Sequence, residues 1–274
     1  YTTMNLAEQE VTMLQYIKVI SIVVMGGCTP AVANQLYIEQ AGTNFDLDVV
    51  QDGQDNYVKL DIDGNDTDFD ILQQGDNHRT TWVSYWGSGA AWGGDIDGNG
   101  NAFEIKQINN QANTAAGGTI GFHIQGNDNS LVLTQGCVYD NTNSANCTSG
   151  SFEAANHVMI ADVHGDDNAL KLGQRSGNSD KHDMTVYVYG DDNSVFAKQK
   201  GTGEKDLYLR LNGDGHSVSS VQTGQGSHNA SITLTRGSGS YALNLTQHSD
   251  TTQNYSLTGT CQNASGCGVT VTQN

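Results

Sequence analysis

A chain of 274 residues with a formal net charge of −18 is a poor ligand for phosphate backbones or anionic lipid surfaces, both of which attract basic proteins. Hydrophobic residues, Gly not counted, supply 36%, while Gly contributes 33 positions and Pro one. That balance argues against a single thick core and against Pro-rich disorder. It points to many short strands joined by glycine turns.

In chain order, the first signal is an export segment over residues 1–33. Lys18 precedes the apolar run Val19–Met25, and Ala31-Val32-Ala33 forms a small-residue cleavage pattern. The run is shorter than the about 20 residues a membrane-spanning helix needs, so no membrane span is expected. The mature chain is expected to begin at Asn34. Met25-Gly26-Gly27-Cys28 offers a second reading, a lipoprotein site with Cys28 acylated.

From residue 34 onward one repeat organises the chain. Ile124–Gln135 and Val188–Gln199 share the pattern φ-x-G-x-x-N-x-φ-x-φ-x-Q, where φ is apolar. The closing Gln recurs as Gln51, Gln73, Gln107, Gln135, Gln174, Gln199, Gln222, Gln247 and Gln273. A glycine stands nine residues earlier as Gly42, Gly64, Gly98, Gly126, Gly165, Gly190 and Gly213. The Asn is present as Asn101, Asn129, Asn168 and Asn193. Apolar residues alternate before each Gln, as in Phe69/Ile71, Leu131/Leu133 and Leu243/Leu245, and again before each Gly, as in Ile120/Phe122/Ile124 and Leu207/Leu209/Leu211. Period two over about five residues is a strand with one buried face. Each unit therefore reads as strand, tight G-x-x-N turn, strand, with Gly supplying positive φ and Asn tolerating the left-handed region.

A unit of two half-buried strands cannot close a core alone, whereas stacked units bury a continuous one. The expected fold is all-β: a two-sheet β-solenoid of about nine coils over residues 34–274, rising about 4.8 Å per coil. Equivalent Gln side chains then lie above one another, and their amides can satisfy each other level by level as a ladder.

Excess length follows the Gln in each unit, so the insertions are expected along one edge. One insertion carries Trp82, Tyr85, Trp86 and Trp92, a candidate sugar or partner platform, the other reading being a loop that folds its own rings onto the rod. Cys137 and Cys147, and Cys261 and Cys267, form two close pairs, read as local disulfides of an exported protein. Acidic turns such as Asp61–Asp68 resemble calcium loops but lack the closing Glu of an EF-hand, and are read as solvated turns. The eight His show no H-x-x-x-H or H-E-x-x-H spacing, and no G-x-S-x-G occurs. No metal, cofactor or catalytic residue is expected, and the chain is read as a non-enzyme.

The repeat resembles that of curlin, the subunit of curli amyloid fibres. The N-x5-Q half holds as Asn101/Gln107, Asn129/Gln135, Asn168/Gln174 and Asn193/Gln199, while the first-arm Gln of curlin survives at Gln40 and Gln262 and is apolar at most other copies. The resemblance implies a secreted functional amyloid at the cell surface, serving biofilm or adhesion. Its partner would be itself, stacked head to tail at ends such as the final run Val269–Gln273, with a nucleator subunit or surface glycan as further partners. The alternative is a monomeric solenoid adhesin that presents the Trp loop.

Overall fold

The computed structural model describes residues 16–22, 35–52, 57–74, 79–80, 98, 100–108, 119–135, 157–175, 181–235, 241–260 and 267–274. Among them there is no helix, so none long and apolar enough to cross a membrane. Sixteen strands run in chain order: β1 (Tyr16–Ile22), β2 (Gln35–Asp52), β3 (Tyr57–Gln74), β4 (Arg79–Thr80), β5 (Ala102–Ile108), β6 (Leu131–Gln135), β7 (Met159–His164), β8 (Leu170–Gly173), β9 (Met184–Tyr189), β10 (Ser194–Lys198), β11 (Leu207–Asn212), β12 (Ser217–Gln222), β13 (His228–Thr235), β14 (Ala242–Gln247), β15 (Gln253–Gly259) and β16 (Gly268–Gln273). They form a β-solenoid.

The larger sheet stacks β2-β3-β5-β6-β8-β10-β12-β14-β16 in parallel, the smaller β7-β9-β11-β13-β15. Bridges Ile120–Met159 and Ile124–Val163 add one further level to the smaller sheet, so about six turns carry two separate faces. The first two levels differ from the strand–turn–strand expectation. There β2 and β3 are single strands of 18 residues, paired from Gln35↔Tyr57 to Asp52↔Gln74, and Asp61–Asp68 is strand rather than a solvated turn. At the position three after the glycine, Phe45 and Thr67 stand where four later copies have Asn.

Register is kept at every level, which turns each inward position into a row. Phe69, Phe103, Leu131, Leu170, Val195, Val218 and Leu243 make one such row, and Phe122, Ala161, Val186, Leu209 and Ile232 face it from the other side. All of these are buried. Three stacked rings, Phe69, Phe103 and Phe122, fill the wide early levels, with centroids 4.2 Å apart for Phe69–Phe103 and 6.0 Å for Phe103–Phe122. Burying a side chain of this size is worth about 1.5–3 kcal/mol, and every level repeats that gain along the rod.

Tyr16–Ile22, part of the expected export segment, pairs antiparallel with the first arm of β2, from Tyr16↔Ala41 to Ile22↔Gln35. The remaining half of β2, beyond Ala41, has a single neighbour, β3, among the described residues.

Candidate functional site: stacked ladders and an open sheet edge

Among the described residues three polar columns run along part of the rod inside its apolar rows. The first is made by the repeat glutamines. Gln51, Gln73, Gln107 and Gln135 share one backbone register, as do Gln222, Gln247 and Gln273. Gln135, Gln174, Gln199, Gln222 and Gln247 are buried. Gln199 donates to Gln174 Oε1 at 3.4 Å, Gln222 to Gln199 at 2.9 Å, Gln247 to Gln222 at 2.7 Å and Gln273 to Gln247 at 2.5 Å. A buried amide is thereby satisfied by its own copy one level back.

The same amides also hold the chain reversal that follows them. Gln135 donates to Val158 O, Gln174 to Asp183 O, Gln199 to Asp206 O at 3.0 Å, Gln222 to Asn229 O at 2.8 Å and Gln247 to Asn254 O at 2.8 Å. Each Gln thus ties the end of one strand to the start of the next. Among the described side chains the ladder is interrupted between Gln135 and Gln174: Gln135 Oε1 is buried and makes no hydrogen bond, and the Gln174 amide donates to Asp183 O.

The second column is the repeat asparagines, whose role differs from the turn-former expected. The left-handed conformation falls on the glycine and its successor: Gly165 and Asp166 have φ of 70° and 69°, Gly190 and Asp191 79° and 64°, Gly213 and Asp214 105° and 53°. Two consecutive positive φ values make the mirror-image turn that joins strands closely. Gly213 is required twice over, because a Cβ there would lie 3.2 Å from the backbone of Gly190. Asn101, Asn129, Asn168 and Asn193 instead point inward and are buried. Asn129 donates to Asn101 Oδ1 at 2.8 Å, Asn168 to Asn129 at 2.7 Å and Asn193 to Asn168 at 2.5 Å. Each also donates to the carbonyl of its own turn glycine, as Asn168 does to Gly165 O at 3.0 Å and Asn193 to Gly190 O at 2.7 Å. His216 takes over at the next level, its Nδ1 2.6 Å from Asn193 Oδ1.

The third column lies at the opposite corner and was not singled out from sequence. His157, His182, Lys205 and His228 are all buried and stand two positions before Met159, Met184, Leu207 and Ala230, the first buried apolar residues of β7, β9, β11 and β13. His157 and His182 stack with ring centroids 5.0 Å apart. Lys205 is fully buried, its Nζ donating to the carbonyls of Thr202, Gly203, Gly224 and Gly226, the last two at 3.0 and 3.1 Å. Four carbonyls compensate the desolvation that an enclosed ammonium would otherwise pay in full. Burial pushes the pKa of His157 down to about 3, with the neighbouring His182 adding to the effect. The available signal was a His or Lys recurring two residues before Met159, Met184, Leu207 and Ala230.

At the far end of the rod the pattern opens. β16 has one neighbour, β14, and β15 has one, β13, among the described residues. All six residues of β16 are exposed, including Val269 at 42% and Val271 at 38%, which continue the inward rows Leu243 and Leu245. Of the other singled-out residues, Cys267 is disulfide-bonded. Trp82, Tyr85, Trp86, Trp92, Cys137, Cys147, Cys261 and the insertions that carry most of them lie outside the described residues.

No family model, no curated protein and no solved structure matches the chain.

Proposed function

We propose that the chain is a secreted, curli-like structural subunit that assembles by stacking one rod on the next. The observation that carries this reading is the edge at β15 and β16. There the inward rows end in exposed Val269 and Val271, and the Gln column ends at Gln273. A second copy laid on that edge would continue two sheets, the apolar rows and the amide ladder at once, which is how cross-β assemblies gain stability. The single-neighbour half of β2 at the other end supplies the complementary edge. The export pattern at Ala31-Val32-Ala33 supports an extracellular setting.

The test is direct. The purified chain should form thioflavin-binding fibres whose X-ray pattern has a meridional reflection at about 4.7–4.8 Å. A chain that stays monomeric by sedimentation at high concentration rules out the fibre reading and leaves the monomeric adhesin as the better account.

A further inference from the structure

Across the outer face of the smaller sheet, two neighbouring levels bring together three side chains that sequence spacing kept apart. The bridges Ile120↔Met159 and Ile124↔Val163 place His123 beside Asp162 on β7, and Asp162 and His164 alternate on the outward side of that strand. One ligand atom from each of the three lies within 4.8 Å of the others. His123 Nδ1 is 3.7 Å from one carboxylate oxygen of Asp162, and His164 Nε2 is 3.4 Å from the other.

The geometry points to a binding site for one divalent transition-metal ion of the zinc class, held by His123 Nδ1, Asp162 and His164 Nε2. Three observations support it. Tetrahedral N and O ligands at about 2.0–2.2 Å from a metal stand roughly 3.3–3.5 Å apart, and the two imidazole nitrogens lie 3.7 and 3.4 Å from Asp162, each from a different carboxylate oxygen. Asp162 Oδ1 and His164 Nε2 are shielded from solvent yet make no hydrogen bond, although they face each other within ion-pair distance. Such groups are left with coordinating capacity that a cation would meet. The His164 ring is held in place by stacking on Tyr189, with centroids 4.7 Å apart and planes at 17°, as a ligand-orienting neighbour would do.

Ligand chemistry selects the metal class. Two imidazole nitrogens and one carboxylate suit zinc, copper, nickel or cobalt, whereas calcium and magnesium call for oxygen cages. Three protein ligands would leave a tetrahedral ion one further coordination position, for water or another ligand. The site lies on the outer face of the first two levels of the smaller sheet, away from β15 and β16, so it does not rest on the assembly reading.

The experiment is calorimetric titration of the whole chain with ZnCl2 at neutral pH, paired with electron paramagnetic resonance of one equivalent of Cu²⁺. One equivalent of zinc should bind, and the copper spectrum should show coupling to two imidazole nitrogens. His123→Gln, Asp162→Asn and His164→Gln should each weaken zinc binding at least roughly 100-fold, more than loss of an outer-shell partner usually costs. His248→Ala, at an exposed position away from the cluster, should bind as the parent does. Absence of stoichiometric zinc binding by the parent chain overturns the site. So does binding undiminished in the three variants, or a copper spectrum that lacks nitrogen coupling.

Discussion

Gln222 donates its side-chain amide to Gln199 Oε1 across 2.9 Å, although 23 residues separate them in the chain. The same amide reaches Asn229 O at 2.8 Å, so one side chain links two levels and closes the corner that follows. Gln222→Leu should therefore destabilise the fold by roughly 1–3 kcal/mol, the cost of buried groups left unmet less what the apolar side chain recovers. Gln135→Leu should cost less, because Gln135 Oε1 already makes no hydrogen bond. Chemical denaturation of both variants checks this, and equal losses would show that the ladder contributes nothing beyond the corner bond.

The asparagine column predicts a larger and more general effect. Asn168 donates to Asn129 and to Gly165 O and accepts from Asn193, so Asn168→Ala strips partners from two levels and from the turn. A loss of about 2–4 kcal/mol is expected, since one buried group left unmet costs roughly 1–3 kcal/mol. Hydrogen exchange should quicken first at β6, β8 and β10, the strands that follow these three turns.

The buried histidines set an acid limit. His157 has its pKa lowered to about 3 from 6.5, chiefly by burial, and burial lowers His216 and His228 too. A lowered histidine favours the neutral ring, so its contribution is complete above the unfolded value of about 6.5 and is lost as pH falls towards 3. Thermal midpoints should hold above pH 7 and drop progressively between pH 6.5 and 3. His157→Phe should flatten the upper part of that fall, and a parent midpoint unchanged at pH 4 would contradict the assignment.

At the open edge, Val271→Lys places a charge where a stacked copy would have to desolvate it. The residue is exposed in the single rod, so folding stability should change by no more than about 0.5 kcal/mol. Fibre elongation measured by thioflavin fluorescence should slow by at least about tenfold. Elongation at the parent rate would place the assembly faces elsewhere.

Cleavage after Ala33 would remove β1 from the edge of β2. A chain beginning at Asn34 should then nucleate fibres after a shorter lag than the longer chain at equal concentration, since a paired edge becomes an open one. An unchanged or longer lag would mean that β1 does not guard that edge.

Much of this architecture was legible because a solenoid repeats locally. Alternating apolar residues before each Gln and each Gly assign strands by period two, and Gln recurring at one offset places those residues in one column without knowledge of any long-range contact.

Sequence alone therefore determined the class of fold, the direction of the rows and the Gln register, because each of these follows from periodicity within a unit. Only the tertiary structure decided what lies between units. It turned the asparagines from turn-formers into a buried column, and gathered His157, His182 and Lys205 into a corner. It also set His123 against Asp162 and His164. The physical reason is the stacking itself: side chains 25 or 39 residues apart become neighbours one level away, a distance that no local pattern encodes.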